Sequence, residues 1–373
     1  MLGRMGGAAS TQRGTSSAPD VPRREPVDHE EIEWQFDAID LRPVERWLEG
    51  YAGTDDPGPA GPAGPDLGPT RIDASCSIGE VAFAVLRRQF AAFLAKEAGT
   101  RLGEDPEELH DMRVAARRLR AALSLFAHVL PVRAARLRGE LGWVAQALGA
   151  VRDVDVQLDQ LRAWTGEAGG PDREALGSLI AILRQQREEA RAALLGTLDS
   201  RRYDRLTMAF GAMLRHGPLR TSPASRAPAL AAAPELLMKR YRRVRAAARR
   251  VARAGAVEDL HRLRIRCKRL RYALEFFDDV YDHRGRSVIR RLVTLQDLLG
   301  GIQDSNVAIA RLRELATAGG ASLSPATVFA MGQVAQRYAH RAEALRDRYP
   351  KRYRRFRGRR WRAFARMLQD GGG

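Results

Sequence analysis

LHDMRVAARRLRAALSLF at residues 109–126 and LHRLRIRCKRLRYALEFF at residues 260–277 are two copies of one pattern. They align at an offset of 151 residues, which pairs His110 with His261 and Arg113 with Arg264. The same offset pairs LGAVRDVDV at 148–156 with LGGIQDSNV at 299–307. Because self-similarity at a fixed spacing is typical of a duplicated structural unit, two copies of one multi-helix unit are predicted.

The region from residue 74 to residue 370 is predicted to be helical throughout. Ala, Leu, Arg and Glu dominate it, apolar residues recur every three to four positions, and no alternating strand pattern appears. We therefore predict an all-α fold of two helical halves with four helices each, at 74–216 and 235–370, joined by a Pro/Ala-rich linker at 217–234. The fourth helix of each copy is long, at 172–214 and 324–367, with a break expected at Pro350.

The N-terminal part of the chain differs in composition from the rest. Residues 1–27 are rich in Gly, Ser, Pro and Arg, and residues 51–73 are rich in Pro and Gly, so a disordered start and a flexible linker are predicted. A less biased island lies between them at 28–50. No signal peptide and no membrane span are predicted. Cys76 and Cys267 are the only cysteines, which excludes a disulfide framework, and we expect a cytoplasmic location.

Positive charge is concentrated in the helical region. The chain carries 63 Lys and Arg against 45 Asp and Glu, a formal net charge of +18. Residues 1–70 hold 6 basic and 13 acidic side chains, so the remainder accounts for the whole excess. Such a field attracts polyanions, including nucleic acid, acidic membrane surfaces and phosphate polymers, without indicating the fold.

The repeated helix carries a basic row beside its apolar stripe. At 100° per residue the apolar side chains form one stripe, and a histidine with three basic residues lies on the adjacent side. Like charges at this spacing repel each other, which favours an anionic partner over a merely solvated face, because both copies keep the row in register. The predicted binding residues are His110, Arg113, Arg117, Arg120, His261, Arg264, Lys268 and Arg271.

Other helices offer supporting basic residues. No acid interrupts residues 239–253, and arginines recur at equivalent positions of the long fourth helices. Residues 337–366 hold 13 basic and 2 acidic side chains with aromatic residues between them, which suits either nucleic acid or a packed helix with one solvated side. The supporting candidates are Lys239, Arg242, Arg245, Arg249, Arg187, Arg191, Arg337 and Arg341.

The two repeated histidines are not spaced for metal binding or catalysis. Neither His110 nor His261 belongs to an HExxH or similar cluster, and neither has an obvious nucleophile. A neutral ring can donate one hydrogen bond to an anion, and a buried structural histidine is the alternative. We expect no metal, no cofactor and no catalytic residue.

Both copies resemble the signature helix of the CHAD domain, a family named for its histidine-bearing α-helical domain. The pattern HxxR(V/I)xx(R/K)RLR occurs twice at one-domain spacing, and the similarity covers about residues 74–370. The resemblance implies two four-helix bundles related by pseudo-two-fold symmetry, whose basic helices line a central cavity or groove that binds inorganic polyphosphate. It also implies a binding module without established catalysis, found in some members on polyphosphate granules.

The island at 28–50 resembles the opening strand and helix of the CYTH, or triphosphate tunnel, domain. In that family an ExExK start supplies metal-binding carboxylates and a phosphate-binding lysine. Here Glu31 and Glu33 match, but Gln35 replaces the lysine, and 23 residues cannot build a tunnel barrel. We interpret the island as a CYTH-like remnant without an active site.

Three other functions stay open. A nucleic-acid-binding protein would use the Arg-rich helices and the C-terminal tail. A phosphohydrolase acting on polyphosphate or triphosphate would need clustered metal carboxylates, and a helical scaffold would bind an acidic protein. Arginine forks suit successive phosphate oxygens, whereas the two basic rows contain no aromatic platform for RNA bases. We therefore expect a polyphosphate-binding protein, granule-associated or polyphosphate-regulated, and not an enzyme.

Overall fold

A computed structural model describes residues 66–167, 170–219, 221–318 and 323–370. These residues form α-helices and no β-strand, with one isolated bridge between Ser77 and Pro228, so the predicted all-α class is confirmed. The predicted N-terminal segments, including the CYTH-like remnant and most of the linker at 51–73, lie outside the described residues.

The helices follow the two halves of the sequence. Those of the first half are α1 (Ile78–Ala95), α2 (Glu97–Leu102), α3 (Pro106–Leu125), α4 (Arg133–Glu167), α5 (Gly170–Leu198) and α6 (Arg201–His216). The short α7 (Pro223–Arg226) precedes the second half, which contains α8 (Ala229–Ala254), α9 (Val257–Phe276), α10 (Arg286–Ala318), α11 (Pro325–Phe356) and α12 (Arg359–Asp370). A 3-10 turn at Asp279–Tyr281 follows α9.

Local sequence signals fix the helix starts that position the first motif helix. Ser77 and Glu80 form a capping box at the start of α1. Gly103 ends α2 in the left-handed conformation, at φ 76°. Asp105 caps α3 by accepting a hydrogen bond of 2.8 Å from the Glu107 backbone N–H, with Pro106 at the first helical position. The basic row of α3 therefore starts from a defined end.

Each of the long fourth helices predicted from the sequence is two helices. The first divides before Ser200, whose hydroxyl caps α6 by accepting from the Tyr203 backbone N–H at 3.2 Å. The second divides at 357–358, and the break predicted at Pro350 is wrong, because Pro350 lies inside α11. An internal proline removes one helix hydrogen bond, but the buried side chains of Tyr349 and Phe356 hold the last turns against the core.

The segment between the halves is anchored to the start of α1. The Ile78 backbone N–H donates to the Ala227 carbonyl at 2.8 Å, and the Ala229 N–H donates to the Cys76 carbonyl at 3.0 Å. Gly79 allows Ser225 to approach α1, since a Cβ at residue 79 would lie 2.1 Å from the Ser225 hydroxyl oxygen. With this anchor, α8 begins before the predicted residue 235.

Both halves contribute to each of two hydrophobic clusters. The larger contains Phe83 and Phe126 from the first half with Phe277 and Trp361 from the second. The smaller joins α4 and α5 to α10 and α11. The halves therefore share their core, while the pseudo-two-fold relation between them stays a prediction. None of the described helices is long and apolar enough to cross a membrane.

Candidate functional site

The two motif helices, α3 and α9, pack against each other. Arg118 Nη1 on α3 lies 2.8 Å from Glu275 Oε2 on α9, and both side chains are buried. The Arg118 guanidinium also lies 5.7 Å from the centre of the Tyr272 ring. A charged contact in the core thus joins the two copies of the pattern.

The predicted basic row of the first copy is buried. His110, Arg113, Arg117 and Arg120 expose 6%, 2%, 3% and 7% of their surfaces. Arg120 lies across α4 at Gly142, where a Cβ would stand 3.4 Å from a guanidinium nitrogen. The alternative of a merely solvated face therefore does not hold for α3.

The second copy repeats this burial at the middle of its row. Arg264 and Lys268 expose 2% and 7% of their surfaces, whereas His261 and Arg271 are half-buried. Arg271 Nε lies 3.2 Å from Glu275 Oε1. The same sequence register thus gives matching buried cations on both motif helices.

Carboxylates of the third helix in each copy lie beside these rows. Asp153 Oδ1 on α4 is 3.7 Å from Arg113 Nη2. On α10, the side chains of Arg264 and Asp304 both lie near Gly300. A Cβ added at residue 300 would stand 3.9 Å from Arg264 Nε and 4.0 Å from Asp304 Oδ2. Asp153 and Asp304, which are equivalent in the two copies, therefore each lie near the basic row of their own copy.

Buried positive charge exceeds buried negative charge around the motif helices. Among the described residues, four acids are buried on α3, α4, α9 and α10, namely Asp155, Asp259, Glu275 and Asp304. The buried cations on these helices are Arg113, Arg117, Arg118, Arg120, Arg152, Arg264 and Lys268. Two of the four acids also bind cations outside this group, since Asp259 pairs with Arg262 and Asp155 with Arg187. This concentration of buried cations on helices that pack together makes the two basic rows the candidate anion-binding site.

A basic cleft of about 480 Å³ lies between the end of α3 and α8. Its lining includes the basic residues His128, Lys239, Arg240 and Arg243 and one acidic residue, Glu235. Burial lowers the pKa of His128, and the charges of Arg240 and Lys239 lower it further against the opposing effect of Glu235.

Four arginines near this cleft were missed by the sequence interpretation. A small adjoining cavity of about 30 Å³ is lined by Arg240 and Arg243 from α8 and by Arg266 and Arg269 from α9. All four lie in the Arg-rich stretches of α8 and α9, but at other helical positions than the predicted binding residues. Of the α8 candidates, Lys239 lines the cleft, while Arg242, Arg245 and Arg249 are exposed.

Two supporting candidates on α5 are bound to the protein itself. Arg187 Nε lies 2.6 Å from Asp155 Oδ1. Arg191 donates to the carbonyls of Thr100, Arg101 and Leu102 at 3.4, 2.8 and 2.9 Å, so it caps the C-terminal end of α2. Arg191 therefore caps a helix, and its predicted anion contact stays a prediction.

The two candidates on α11 lie near the smaller cluster. Arg337 is exposed and its guanidinium is 5.9 Å from the centre of the Trp164 ring. Arg341 is half-buried near Tyr338. Burial raises the pKa of Tyr338, the nearby charge of Arg341 lowers it, and that of Asp304 raises it.

The aromatic residues of the C-terminal stretch are packed inside the protein. Phe356 and Trp361 are buried, and the Trp361 ring stacks on Tyr241 with the ring centres 3.9 Å apart. The C-terminal stretch is thus a packed pair of helices with a solvated basic side.

Asp278, Asp279 and His283 bring possible metal-ligand atoms within 4.8 Å of one another. Arg88 Nη1 lies 2.7 Å from Asp279 Oδ2, and Arg286 Nε lies 3.3 Å from Asp278 Oδ2. His283 Nδ1 is 2.9 Å from the same Asp278 oxygen. These ion pairs explain why the three residues lie together.

Comparison with known protein families matches residues 84–313 to the CHAD domain. This chain belongs to the CHAD family. The matched region of this CHAD protein runs from α1 into α10 and contains both motif helices, so the family inferred from the repeated pattern is confirmed.

Solved structures agree with the CHAD assignment. The crystal structure of the CHAD domain from the plant Ricinus communis is 32% identical, with a TM-score of 0.65, covering 78% of this chain and 96% of that one. PptA from Streptomyces chartreusis is 22% identical, with a TM-score of 0.63, covering 74% of this chain and 99% of that one, and shows the fold alone. A search of curated protein sequences found no match.

Proposed function

We propose that this CHAD protein binds inorganic polyphosphate through the basic rows of α3 and α9, as a binding module without catalysis of its own. The observation that carries the proposal is that the same basic row recurs, in register, on two helices that pack against each other. Family membership supports it, because the CHAD family is linked to polyphosphate binding.

Polyphosphate matches the chemistry of these helices. It carries about one negative charge per phosphate and presents no bases, so arginine forks can bind successive oxygens. Arg117 and Lys268 are buried on the two contacting helices, which favours a polymer held by both copies. By analogy with nucleic acids, such binding should be tight and sensitive to salt.

Nucleic acid is the second candidate ligand, and the exposed arginines of α8 and α12 are the feature that favours it. Single-stranded RNA would call for aromatic residues on which bases stack. Tyr272, Phe276, Phe356 and Trp361 expose at most 4% of their surfaces, so none of these four rings offers a face on which a base could stack. Polyphosphate therefore suits the described residues better.

The proposed role excludes hydrolysis and includes location on polyphosphate granules, or regulation by polyphosphate. A phosphohydrolase would need carboxylates that hold metal ions near the bound phosphates. The trio Asp278, Asp279 and His283 follows α9 and is bound by Arg88 and Arg286. Its placement supports a structural role.

The test is calorimetric titration of the full chain with long-chain polyphosphate at about 150 mM salt, with single-stranded RNA, duplex DNA and triphosphate as parallel ligands. We expect sub-micromolar binding that is selective for polyphosphate. The binding should be lost when Arg113, Arg117 and Arg264 are replaced by Gln and Lys268 by Met. Circular dichroism first establishes that this variant is folded.

A charge-matched control variant separates the loss of the proposed site from the loss of overall positive charge. Four exposed arginines elsewhere are replaced by Gln, which removes the same charge and should leave binding within about threefold; they are Arg133, Arg201, Arg205 and Arg313. Stronger binding to nucleic acid, or equal losses in both variants, would contradict the proposal. Release of phosphate from polyphosphate by the purified protein would contradict its non-catalytic part.

A further inference from the structure

A second basic cleft, of about 290 Å³, lies between the start of α10, the end of α11 and the start of α12. No residue of α3 or α9 lines it. Its lining contains five arginines, two hydroxyl groups, one phenyl ring and no acid: Ser287, Arg290, Arg291, Thr294, Arg352, Arg355, Phe356 and Arg360.

The first half of the chain shows what the equivalent positions do when an acid is present. Glu140 occupies the position equivalent to Arg291, and Arg202 the position equivalent to Arg352. Arg202 Nε lies 2.6 Å from Glu140 Oε2, and its guanidinium lies 4.2 Å from the centre of the Trp143 ring. The bond from Arg202 lowers the pKa of Glu140, with help from the charges of Arg136 and Arg205. In the first half, one carboxylate therefore pairs with Arg202 and lies within the fields of two further arginines.

In the second half an arginine stands where that carboxylate would be. Arg291 is half-buried and donates to the Arg355 backbone carbonyl at 3.1 Å. Partial desolvation lowers the pKa of Arg291, and the nearby charges of Arg360 and Arg355 lower it further. Within the described part of the chain, none of the five arginines of the cleft forms an ion pair.

Five facing cations without a counter-charge repel one another, and a multivalent anion relieves that repulsion. Arginine forks bind phosphate oxygens in pairs, and the Ser287 hydroxyl adds a donor, whereas the Thr294 hydroxyl already donates to the Arg290 carbonyl at 3.0 Å. A single phosphate would balance about two of the five charges, whereas a chain of phosphates balances more. The volume is at the lower end of the range for small-molecule pockets.

We infer that this cleft between α10, α11 and α12 is a second anion site, separate from the motif helices, which binds a short oligophosphate through Arg291, Arg352, Arg355 and Arg360. The inference goes beyond the proposed function and does not require it, since it uses no residue of the two basic rows. A free oligophosphate and the end of a longer polyphosphate chain present the same chemistry here, and the ligands of the test separate them.

The test uses Arg291→Glu, which places in the second half the acid that the first half already accommodates. Because Glu140 and Arg202 show that such a pair fits this position, the variant should fold with an unchanged or higher Tm. Its affinity for tripolyphosphate at the cleft should fall by about tenfold or more, since a charge-assisted donor is lost and a competing acid is gained. Arg205→Glu is the control, because Arg205 is the exposed first-half equivalent of Arg355 and the change in charge is the same.

The readout is hydrogen exchange of the full chain, with calorimetry, using tripolyphosphate, long-chain polyphosphate and inorganic phosphate as ligands. Tripolyphosphate should protect peptides covering 286–294 and 350–362 in the wild type and in Arg205→Glu, but not in Arg291→Glu. Protection by long polyphosphate alone would show that the cleft takes a chain end. Equal protection in wild type and Arg291→Glu, or none with any ligand, would overturn the inference. If tripolyphosphate protects this cleft but polyphosphate does not bind to α3 and α9, only the proposed function is refuted.

Discussion

Arg118 of the first copy and Glu275 of the second form a buried ion pair, with Nη1 and Oε2 2.8 Å apart. The repeat does not duplicate this pair. The position equivalent to Arg118 is Arg269, and the position equivalent to Glu275 is Ser124, which cannot carry the charge. This ion pair between the motif helices is therefore asymmetric, and the repeated pattern does not predict it.

Replacing Glu275 by Gln should strongly destabilise the fold. The substitution leaves Arg118, and also Arg271, without the carboxylate they share in the core. Breaking one partner of a buried pair typically costs about 3–5 kcal/mol. The free energy of unfolding from urea denaturation measures this loss. The double variant Arg118→Met/Glu275→Gln should recover part of it, and a loss below about 1 kcal/mol for Glu275→Gln would contradict the assignment.

Replacing Arg191 distinguishes a role in stabilising the fold from a role in binding polyphosphate. Arg191→Met removes the donations to the carbonyls that end α2, and bonds from a charged donor are each worth about 1.5–3 kcal/mol. We expect a loss of stability of about that size, with polyphosphate affinity unchanged. Arg184→Met on the exposed side of α5 is the control for both measurements. A large loss of affinity with unchanged stability would contradict this expectation and support the predicted anion contact of Arg191.

The sequence predicted the fold class because its helical periodicity and its repeat are both local patterns. It did not predict the division of the long fourth helices or the course of α11 through Pro350, since those depend on which side chains the rest of the protein buries. The anchoring of 217–234 to the start of α1 depends on backbone contacts between distant segments. Neither kind of contact leaves a periodic signal.

The basic rows were predictable because the same residues recur at the same helical spacing. Their burial was not, since a helical wheel gives the direction of Arg117 and Arg264 but not what covers them. The capping bonds of Arg191 were not predictable for the same reason, because its partners are carbonyls of another helix. The cleft around Arg291 was missed since it appears only when α10, α11 and α12 are brought together.

His128 should make stability depend on pH in mildly acidic solution. Burial and the charges of Arg240 and Lys239 hold its pKa below the ordinary 6.5, while Glu235 opposes them. The unfolded chain therefore binds the proton first, so the contribution is fully present above about pH 6.5 and is lost as pH falls through the folded-state pKa. The difference in unfolding free energy between about pH 7.5 and pH 5 should shrink in His128→Asn. An unchanged difference would contradict this account.

Arg117 and Lys268 should act on a single binding event. They are buried on two helices that contact each other, so one polymer held by both copies would feel the loss of either. Arg117→Gln and Lys268→Met should each weaken polyphosphate binding by about tenfold, with unchanged stoichiometry. Each should also reduce the slope of log affinity against log salt concentration by about one. Arg133→Gln, on the exposed first turn of α4, should change neither quantity.

The rival arrangement for these two residues is a pair of independent sites, one on each motif helix. Each substitution would then remove one site and leave the other at full affinity, so calorimetry would show half the stoichiometry with an unchanged affinity for the remainder. Combining Arg117→Gln with Lys268→Met separates the two arrangements again. A shared ligand predicts losses that are not additive, because residues that bind one ligand together couple their contributions. Independent sites predict that only the double variant loses all binding.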